Sequence, residues 1–290
     1  MNRRGALLFG AMCVIWGIPY LMIRVAVREL APVTLVFFRT ALGAVLLMPV
    51  AAIRGELRPL LERWKPLLAY TAVEVAIPWV LLARAETKLT SSLTGLLIAA
   101  VPLVGALIVT LTGDRERLGA RRWLGLLIGI AGVAALVGLD VGEVDVVAIA
   151  EIGLVAVGYA VGPIILSRSM TDLPTFGVVA TSLFLTALAY LPFALLRWPS
   201  ETPSRHVIES VLGLAVICTA VAFIVFFALI AEVGPVRATV ITYINPAVAA
   251  VLGVTLLSEH LTRGMVIGFA LVLAGCALAT GGDVEPVPEP

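Results

Sequence analysis

The sequence is poor in charged residues, and this excludes an ordinary soluble domain. Asp, Glu, Lys and Arg make up 13% of its 290 residues, whereas soluble domains carry about 25%. The hydrophobic fraction is 61% and the mean hydropathy is +1.09, which indicates a chain that lies in lipid. A helix that crosses the hydrocarbon core needs roughly 20 apolar residues. Such stretches cover residues 5–27, 33–53, 65–84, 89–112, 121–139, 146–168, 173–197, 208–231, 236–256 and 262–281.

The sequence also has few of the residues that usually carry catalysis. Its two histidines, His206 and His260, each stand alone in a predicted loop. It contains no aspartate pair of DxxxD spacing, no Gly-x-Ser-x-Gly and no Walker lysine. An integral-membrane enzyme acting on lipids needs groups of this kind near an interface. We therefore keep such an enzyme only as the alternative to a carrier, and we predict no metal and no cofactor.

Cysteine and clustered positive charge are equally scarce. The three cysteines, Cys13, Cys218 and Cys276, all fall inside predicted spans, where a small apolar side chain is their usual role. The net charge is +1 and the basic residues are scattered over short loops, so no nucleic-acid partner is predicted. The expected partners are a small-molecule substrate and the lipid bilayer, and the sequence leaves monomer and homodimer open.

Two halves of the sequence resemble each other, which indicates a tandem duplication. At an offset of 144, one set of matches joins Pro102, Val104 and Ala106 to Pro246, Val248 and Ala250. At an offset of 143, a second set joins Glu116, Leu118, Gly125 and Gly132 to Glu259, Leu261, Gly268 and Gly275. We predict repeats at residues 1–139 and 146–281, followed by a disordered tail at 282–290.

Each predicted repeat has five spans, an odd number, so the second repeat must enter the membrane from the opposite side. An inverted-topology repeat of this kind is typical of secondary transporters. With the N-terminus in the cytoplasm, twelve of the twenty Lys and Arg residues fall on the cytoplasmic side and seven on the other. The positive-inside rule then favours two cytoplasmic termini. We expect a multi-pass protein of a bacterial plasma or inner membrane.

The order of the motifs resembles the EamA-type family of the drug/metabolite transporter superfamily. The first half carries Trp16-Gly17, Pro32, Arg39, Thr90-Ser91-Ser92, Pro102, Glu116-Arg117-Leu118 and Ala131-Gly132-Val133, and the second carries Gly234-Pro235, Pro246, Ser258-Glu259, Gly268 and Ala274-Gly275. The resemblance implies ten helices in an inverted repeat around a central cavity. It also implies export of small metabolites or amino acids. One departure is that Tyr159-Ala160 stands in span six where span one has Trp16-Gly17.

Three ionisable residues lie inside predicted spans, where a charge normally faces a cavity or a partner. Arg39 in span two and Glu151 in span six are each about 8–9 Å from the same membrane surface at 1.5 Å per residue. We predict either an ion pair between them or a role in facing substrate. Glu74 is about 14 Å deep, where apolar surroundings favour its protonated form. It is either a proton carrier or a hydrogen-bonded interior carboxyl.

Aromatic, amide and proline residues form a second group of candidates. Buried Trp, Tyr and Asn side chains need hydrogen-bond partners, which a substrate or a neighbouring helix supplies. Proline inside a span kinks its helix, as a protein that opens alternately to two sides requires. The candidates for substrate contact are Trp16, Tyr159, Tyr243 and Asn245, and those for gating kinks are Pro19, Pro102 and Pro246. Trp79 is ambiguous between packing and the interfacial belt.

The topology can be tested directly. A fluorescent reporter fused after Pro290 is expected to fold in the cytoplasm, and an alkaline phosphatase fused there to be inactive. Both reporters inserted between residues 139 and 146 should give the reverse pattern, because five spans separate this loop from the N-terminus. A phosphatase that is active after Pro290 would contradict the two cytoplasmic termini.

Overall fold

The computed structural model describes residues 2–112, 120–138 and 145–280, which are helical and contain no strand. Within these ranges ten helices are long and apolar enough to cross a membrane. They are α1 (Arg3–Ala26), α2 (Pro32–Ile53), α3 (Trp64–Ala85), α4 (Ser91–Val109), α5 (Ala120–Gly138), α6 (Val146–Ser169), α7 (Thr175–Leu196), α8 (Arg205–Val233), α9 (Thr239–Leu257) and α10 (Arg263–Thr280). The ten predicted spans are therefore confirmed. The predicted tail and the charged turn between α4 and α5 lie outside the described residues.

An even number of spans puts Asn2 and Thr280 on the same side of the membrane. We call this side the terminal face and the other the opposite face. Helices α1, α3, α5, α7 and α9 run from the terminal face to the opposite face, and the others return.

Glycines let α5 and α10 pack backbone against backbone. A Cβ atom added to Gly125 would lie 2.5 Å from the backbone nitrogen of Ala279, and one added to Gly275 would lie 2.5 Å from that of Gly129. Gly132 and Gly268 meet in the same way, since a Cβ on Gly268 would lie 2.7 Å from the Gly132 carbonyl oxygen. Small residues at such positions allow close helix contact in lipid. These glycines therefore set how closely α5 and α10 approach.

The other helices also pack in pairs that join the two halves of the chain. Helix α2 packs along α7, α3 along α6, α1 along α8, and the first part of α4 against α9. Each helix of the first half has a counterpart five helices later in the second half. When every helix is replaced by its counterpart, the α3–α6 pair becomes the α8–α1 pair. The same exchange leaves the α2–α7, α4–α9 and α5–α10 pairs unchanged. This pattern fits a two-fold relation between the halves.

Three spans are interrupted near their middle. Helix α1 consists of Arg3–Ile15 and Pro19–Ala26, and α4 of Ser91–Ile98 and Val101–Thr112. Helix α9 begins as the 3₁₀ segment Thr239–Tyr243 and continues as Asn245–Leu257. Pro19, Pro102 and Pro246 each occupy one of the first two positions after a break, where a missing N–H costs nothing.

Helix breaks thus lie at these three prolines, and their gating role stays a prediction, whereas Pro163 and Pro192 lie within single helices. Two further spans contain a π-helical turn, Thr71–Ala76 in α3 and Val216–Val221 in α8. These two helices are counterparts under the exchange of halves. A π-helical turn leaves backbone groups without their usual partners and often marks a functional position.

Candidate functional site

Arg39 lies at the centre of the candidate site, enclosed by three helices. It is seven residues into α2, about 10 Å deep at 1.5 Å per residue, and only 7% exposed. Its Cζ atom lies 3.7 Å from the ring centroid of Trp79 on α3. Its Nε atom donates a hydrogen bond of 3.0 Å to Oγ1 of Thr219 on α8. Among the described residues no carboxylate forms an ion pair with Arg39.

The partners of Arg39 are themselves fixed. The Thr219 hydroxyl donates to the Leu214 carbonyl oxygen at 2.8 Å within the π-helical turn, so its oxygen is free to accept from Arg39. A cation above an aromatic ring gains up to about 2 kcal/mol when it is desolvated. These contacts hold the guanidinium in place without neutralising it, and its remaining N–H groups suit an anion.

Tyr20 of α1 and Tyr159 of α6 complete the surroundings of Arg39. Tyr20 is buried and Tyr159 half-buried, and both hydroxyls lie within electrostatic reach of the guanidinium. The Tyr159 hydroxyl also lies beside the indole of Trp79. Three aromatic side chains from three helices thus surround the guanidinium of Arg39.

Glu74 occupies the π-helical turn of α3 and faces α6. Its Oε2 atom is enclosed and, among the described residues, has no hydrogen-bond partner. The carboxyl group lies directly against Gly162, since a Cβ added there would lie 1.9 Å from Oε2. Electrostatic coupling to Tyr159 connects Glu74 with the surroundings of Arg39. Glu74 and Thr219 hold the fourth position of their respective π-helical turns.

The predicted pair between Arg39 and Glu151 is wrong. Glu151 pairs instead with Arg84, whose Nε atom lies 2.9 Å from Oε1 at the opposite-face end of α3. Residue counting places Arg39 and Glu151 at similar depth, but it does not give the direction in which each side chain points. Because α6 packs along α3, Glu151 meets the arginine of that neighbour.

Three other candidates have partners other than Arg39. The Trp16 ring packs against Phe226 of α8, with centroids 4.7 Å apart. The Tyr243 hydroxyl lies 3.2 Å from Oγ1 of Thr280 at the terminal face. In the orientation that satisfies the Asn245 amide, its nitrogen donates to the carbonyl oxygen of Ile241 at 3.1 Å. Asn245 thus bonds to the backbone of the segment at the break in α9.

A carboxylate closes the opposite face by capping α4. Glu259, just after α9, accepts hydrogen bonds of 2.8 Å from the backbone nitrogens of both Ser91 and Ser92. It also accepts from their hydroxyls, at 3.1 Å and 2.6 Å. The N-terminus of a helix offers unpaired N–H groups and a positive dipole, so it suits an anion. A Cβ added to Gly253 would lie 2.4 Å from Oε2 of Glu259, so only glycine leaves room for this contact.

The same closure continues towards the middle of the membrane. A Cβ added to Gly95 of α4 would lie 2.6 Å from Cβ of Ala249 on α9. One added to Gly17 of α1 would lie 2.6 Å from Cβ of Val248. The opposite-face halves of α1, α4 and α9 are therefore in close contact.

The terminal-face halves are arranged differently. Those of α1, α8 and α9 pack on one another, and those of α3 and α4 pack on α6. Within the described residues no extended helix packing joins the first group to the second on this side. The breaks at Pro19, Pro102 and Pro246 are where the close packing of the opposite face ends.

Sequence reasoning missed several of these residues. Trp79 was ambiguous, and Tyr20 and Thr219 carried no signal of their own. Glu259 had a signal, because it recurs with Glu116 at the same place in the two halves. Among the described residues no group of three His, Cys, Asp or Glu side chains is placed to hold a metal ion.

Comparison with known proteins gives matches along nearly the whole chain. The model of the EamA-like transporter family matches residues 3–138 and again residues 148–281. YedA of Escherichia coli, described as an uncharacterized inner membrane transporter, is 28% identical over 98% of this chain and 95% of its own. YvbV of Bacillus subtilis, described as an uncharacterized transporter, is 23% identical over 96% of this chain and 92% of its own.

The fold has also been seen before. A solved crystal structure superposes on 97% of this chain and 97% of its own with a TM-score of 0.65. The two sequences are 21% identical, so this likeness concerns the arrangement of the helices and not the activity.

The ion pair between Arg84 and Glu151 makes a testable prediction. Arg84→Ala and Glu151→Ala should each destabilise the protein, and the double variant should lose about 0.5–1 kcal/mol less than the sum, because the second change finds the pair already broken. Arg39→Ala combined with Glu151→Ala should be additive. Unfolding free energies from titration with sodium dodecyl sulfate in mixed micelles measure both cycles. Coupling in the second cycle but not the first would contradict the pairing.

Proposed function

The chain belongs to the EamA-like transporter family, and on this premise we propose that it is a secondary transporter that exports small metabolites or amino acids. In this proposal the two halves, residues 1–139 and 146–281, form a five-plus-five inverted repeat. The double family match, the exchange pattern of packed helices and the π-helical turns in α3 and α8 support the repeat. The protein lies in a bacterial inner membrane with the terminal face in the cytoplasm, which the positive-inside rule supports.

The observation that carries the proposal is the buried guanidinium of Arg39, which has an aromatic and a hydroxyl partner but no carboxylate among the described residues. A lone charge inside a membrane protein is expensive and usually marks a substrate or ion pathway. The substrate itself supplies the missing anion in our proposal. A carboxylate forms two parallel hydrogen bonds with a guanidinium, so a small molecule with a carboxylate fits best.

Alternating access explains why the two faces are packed differently. The Glu259 cap and the contacts of Gly95 and Gly17 close the opposite face. The terminal-face halves form two groups without extended packing between them in the described ranges. We infer that the structure is the state open to the cytoplasm. Rocking about the breaks at Pro19, Pro102 and Pro246 would then open the opposite face and release the substrate outside.

Glu74 is the proposed proton carrier. Its enclosed, unpartnered Oε2 atom favours the neutral carboxyl, and the contact with Gly162 fixes its position between α3 and α6. A change in the packing of these helices alters the surroundings of this carboxyl and hence its proton affinity. Proton uptake from outside and release inside would then drive export.

Substrate counterflow in proteoliposomes tests the proposed function. Vesicles loaded with an unlabelled candidate should accumulate the labelled compound transiently, with no turnover of lipid. A panel of amino acids, nucleosides and cationic drugs covers the main chemical classes, and we expect counterflow among the compounds that carry a carboxylate. Release of lipid products without any counterflow would favour a membrane enzyme instead.

Glu74→Gln separates proton coupling from transport. Gln keeps the size and part of the hydrogen bonding but does not titrate, so the variant should insert normally and retain counterflow. It should lose substrate accumulation driven by an imposed proton gradient. Glu62→Gln, which changes an exposed carboxyl near the terminal face, is the matched control and should behave as wild type. Full proton-driven accumulation by Glu74→Gln would contradict the assignment.

A further inference from the structure

Glu86 is a completely enclosed carboxyl at the opposite face. It follows the last residue of α3, in the turn that leads to α4, and its exposure is 0%. Both carboxyl oxygens are buried, and neither has a hydrogen-bond partner among the described residues. Arg24 of α1 donates to the backbone carbonyl oxygen of Glu86 and acts on the carboxyl through its charge. A carboxylate in such a place lacks both water and donors.

The charged and titratable groups around Glu86 come from three parts of the chain. They are Arg24 and Tyr20 on α1, Arg39 on α2, and Glu259 after α9. Burial raises the pKa of the Glu86 carboxyl well above its ordinary value, and Arg24 opposes this only in part. Glu259 adds to the increase in pKa, because its carboxylate is held as the cap of α4 and repels a second negative charge. Glu86 therefore carries a proton while the opposite face is closed.

Opening of the opposite face changes these surroundings. Helices α4 and α9 must separate there, which removes Glu259 from Ser91 and Ser92 and lets water reach the turn after α3. The hydrated Glu86 then ionises at ordinary pH. The two states of the gate consequently differ by one proton on this residue.

We propose that Glu86 is the proton-binding site of the opposite-face gate, which closes when a proton from that side binds to Glu86 and gives the proton back when it opens. The proposal rests on alternating access in the proposed function and is separate from the role of Glu74. Because the closed state has the higher proton affinity, closure is favoured at low pH and lost as the pH rises. A loss of closure on the alkaline side is therefore the effect expected of Glu86.

The distance between α4 and α9 at the opposite face shows whether the gate is closed or open. Spin labels are attached at Lys88→Cys, in the exposed turn before α4, and Leu256→Cys, at the exposed end of α9, in a background with Ala at Cys13, Cys218 and Cys276. Pulsed electron resonance in lipid nanodiscs then gives the short and long distance populations across a pH series. In the otherwise wild-type protein the short distance should dominate at low pH and decline as the pH rises.

Two substitutions assign the titration. Glu86→Gln, which is neutral at every pH, should keep the short distance across the alkaline range. Glu201→Gln, which changes an exposed carboxyl of the α7–α8 loop, should titrate as wild type. An alkaline decline that persists in Glu86→Gln, or its absence in the wild type, would overturn the proposal. If Glu86→Gln does not fold, a wild-type distance that does not change with pH still overturns the proposal.

The distance measurement needs no substrate, so its result is independent of the transport assay. Counterflow together with an α4–α9 distance that does not change with pH would contradict the role of Glu86 but not the proposed transport function. An α4–α9 distance that depends on pH, without any counterflow, would contradict the proposed function. It would still support the role of Glu86 in closing the gate.

Discussion

The carboxylate of Glu259 on the first turn of α4 is the contact on which the arrangement of the other helices depends. The first N–H groups of a helix have no partner within it, and in lipid they must still be satisfied. Glu259 supplies acceptors to the nitrogens and hydroxyls of Ser91 and Ser92 at once. This joins the start of α4 to the end of α9. Gly253 and Gly95 let the two helices approach closely enough for the contact to form.

Closure at one face has consequences at the other. The breaks after Ile15, Ile98 and Tyr243 divide three spans into two parts, so the opposite-face parts can pack tightly while the terminal-face parts pack on different neighbours. Arg39 lies close to this division, held by Trp79 and Thr219. The guanidinium is thus fixed but not neutralised. A fixed, unneutralised charge near the breaks is what a binding site that is reached alternately from two sides requires.

Much of the fold could be predicted from sequence because lipid imposes a simple rule on composition and length. The ten spans, the proline breaks and the glycine packing of α5 on α10 all follow from residue type and spacing. The depth of Arg39 in the membrane could also be predicted from the sequence. Its partners could not, because depth does not give the direction in which a side chain points around the helix axis. Arg84, at the end of a predicted span, pairs with Glu151 instead. Glu86 gave no signal, since an acid beside a span end normally faces water.

The central claim is that Arg39 binds the carboxylate of the transported molecule, and the selectivity of Arg39→Gln tests it most directly. Counterflow is measured with a transported carboxylic acid and with its uncharged carboxamide, and the ratio of the two rates is compared between variants. The wild type and Arg28→Gln, an exposed control at the opposite face, should prefer the carboxylate by about tenfold or more, as expected for a charge-assisted hydrogen bond of about 1.5–3 kcal/mol. Arg39→Gln should lose this preference. A preference for the carboxylate that is unchanged in Arg39→Gln would contradict the account.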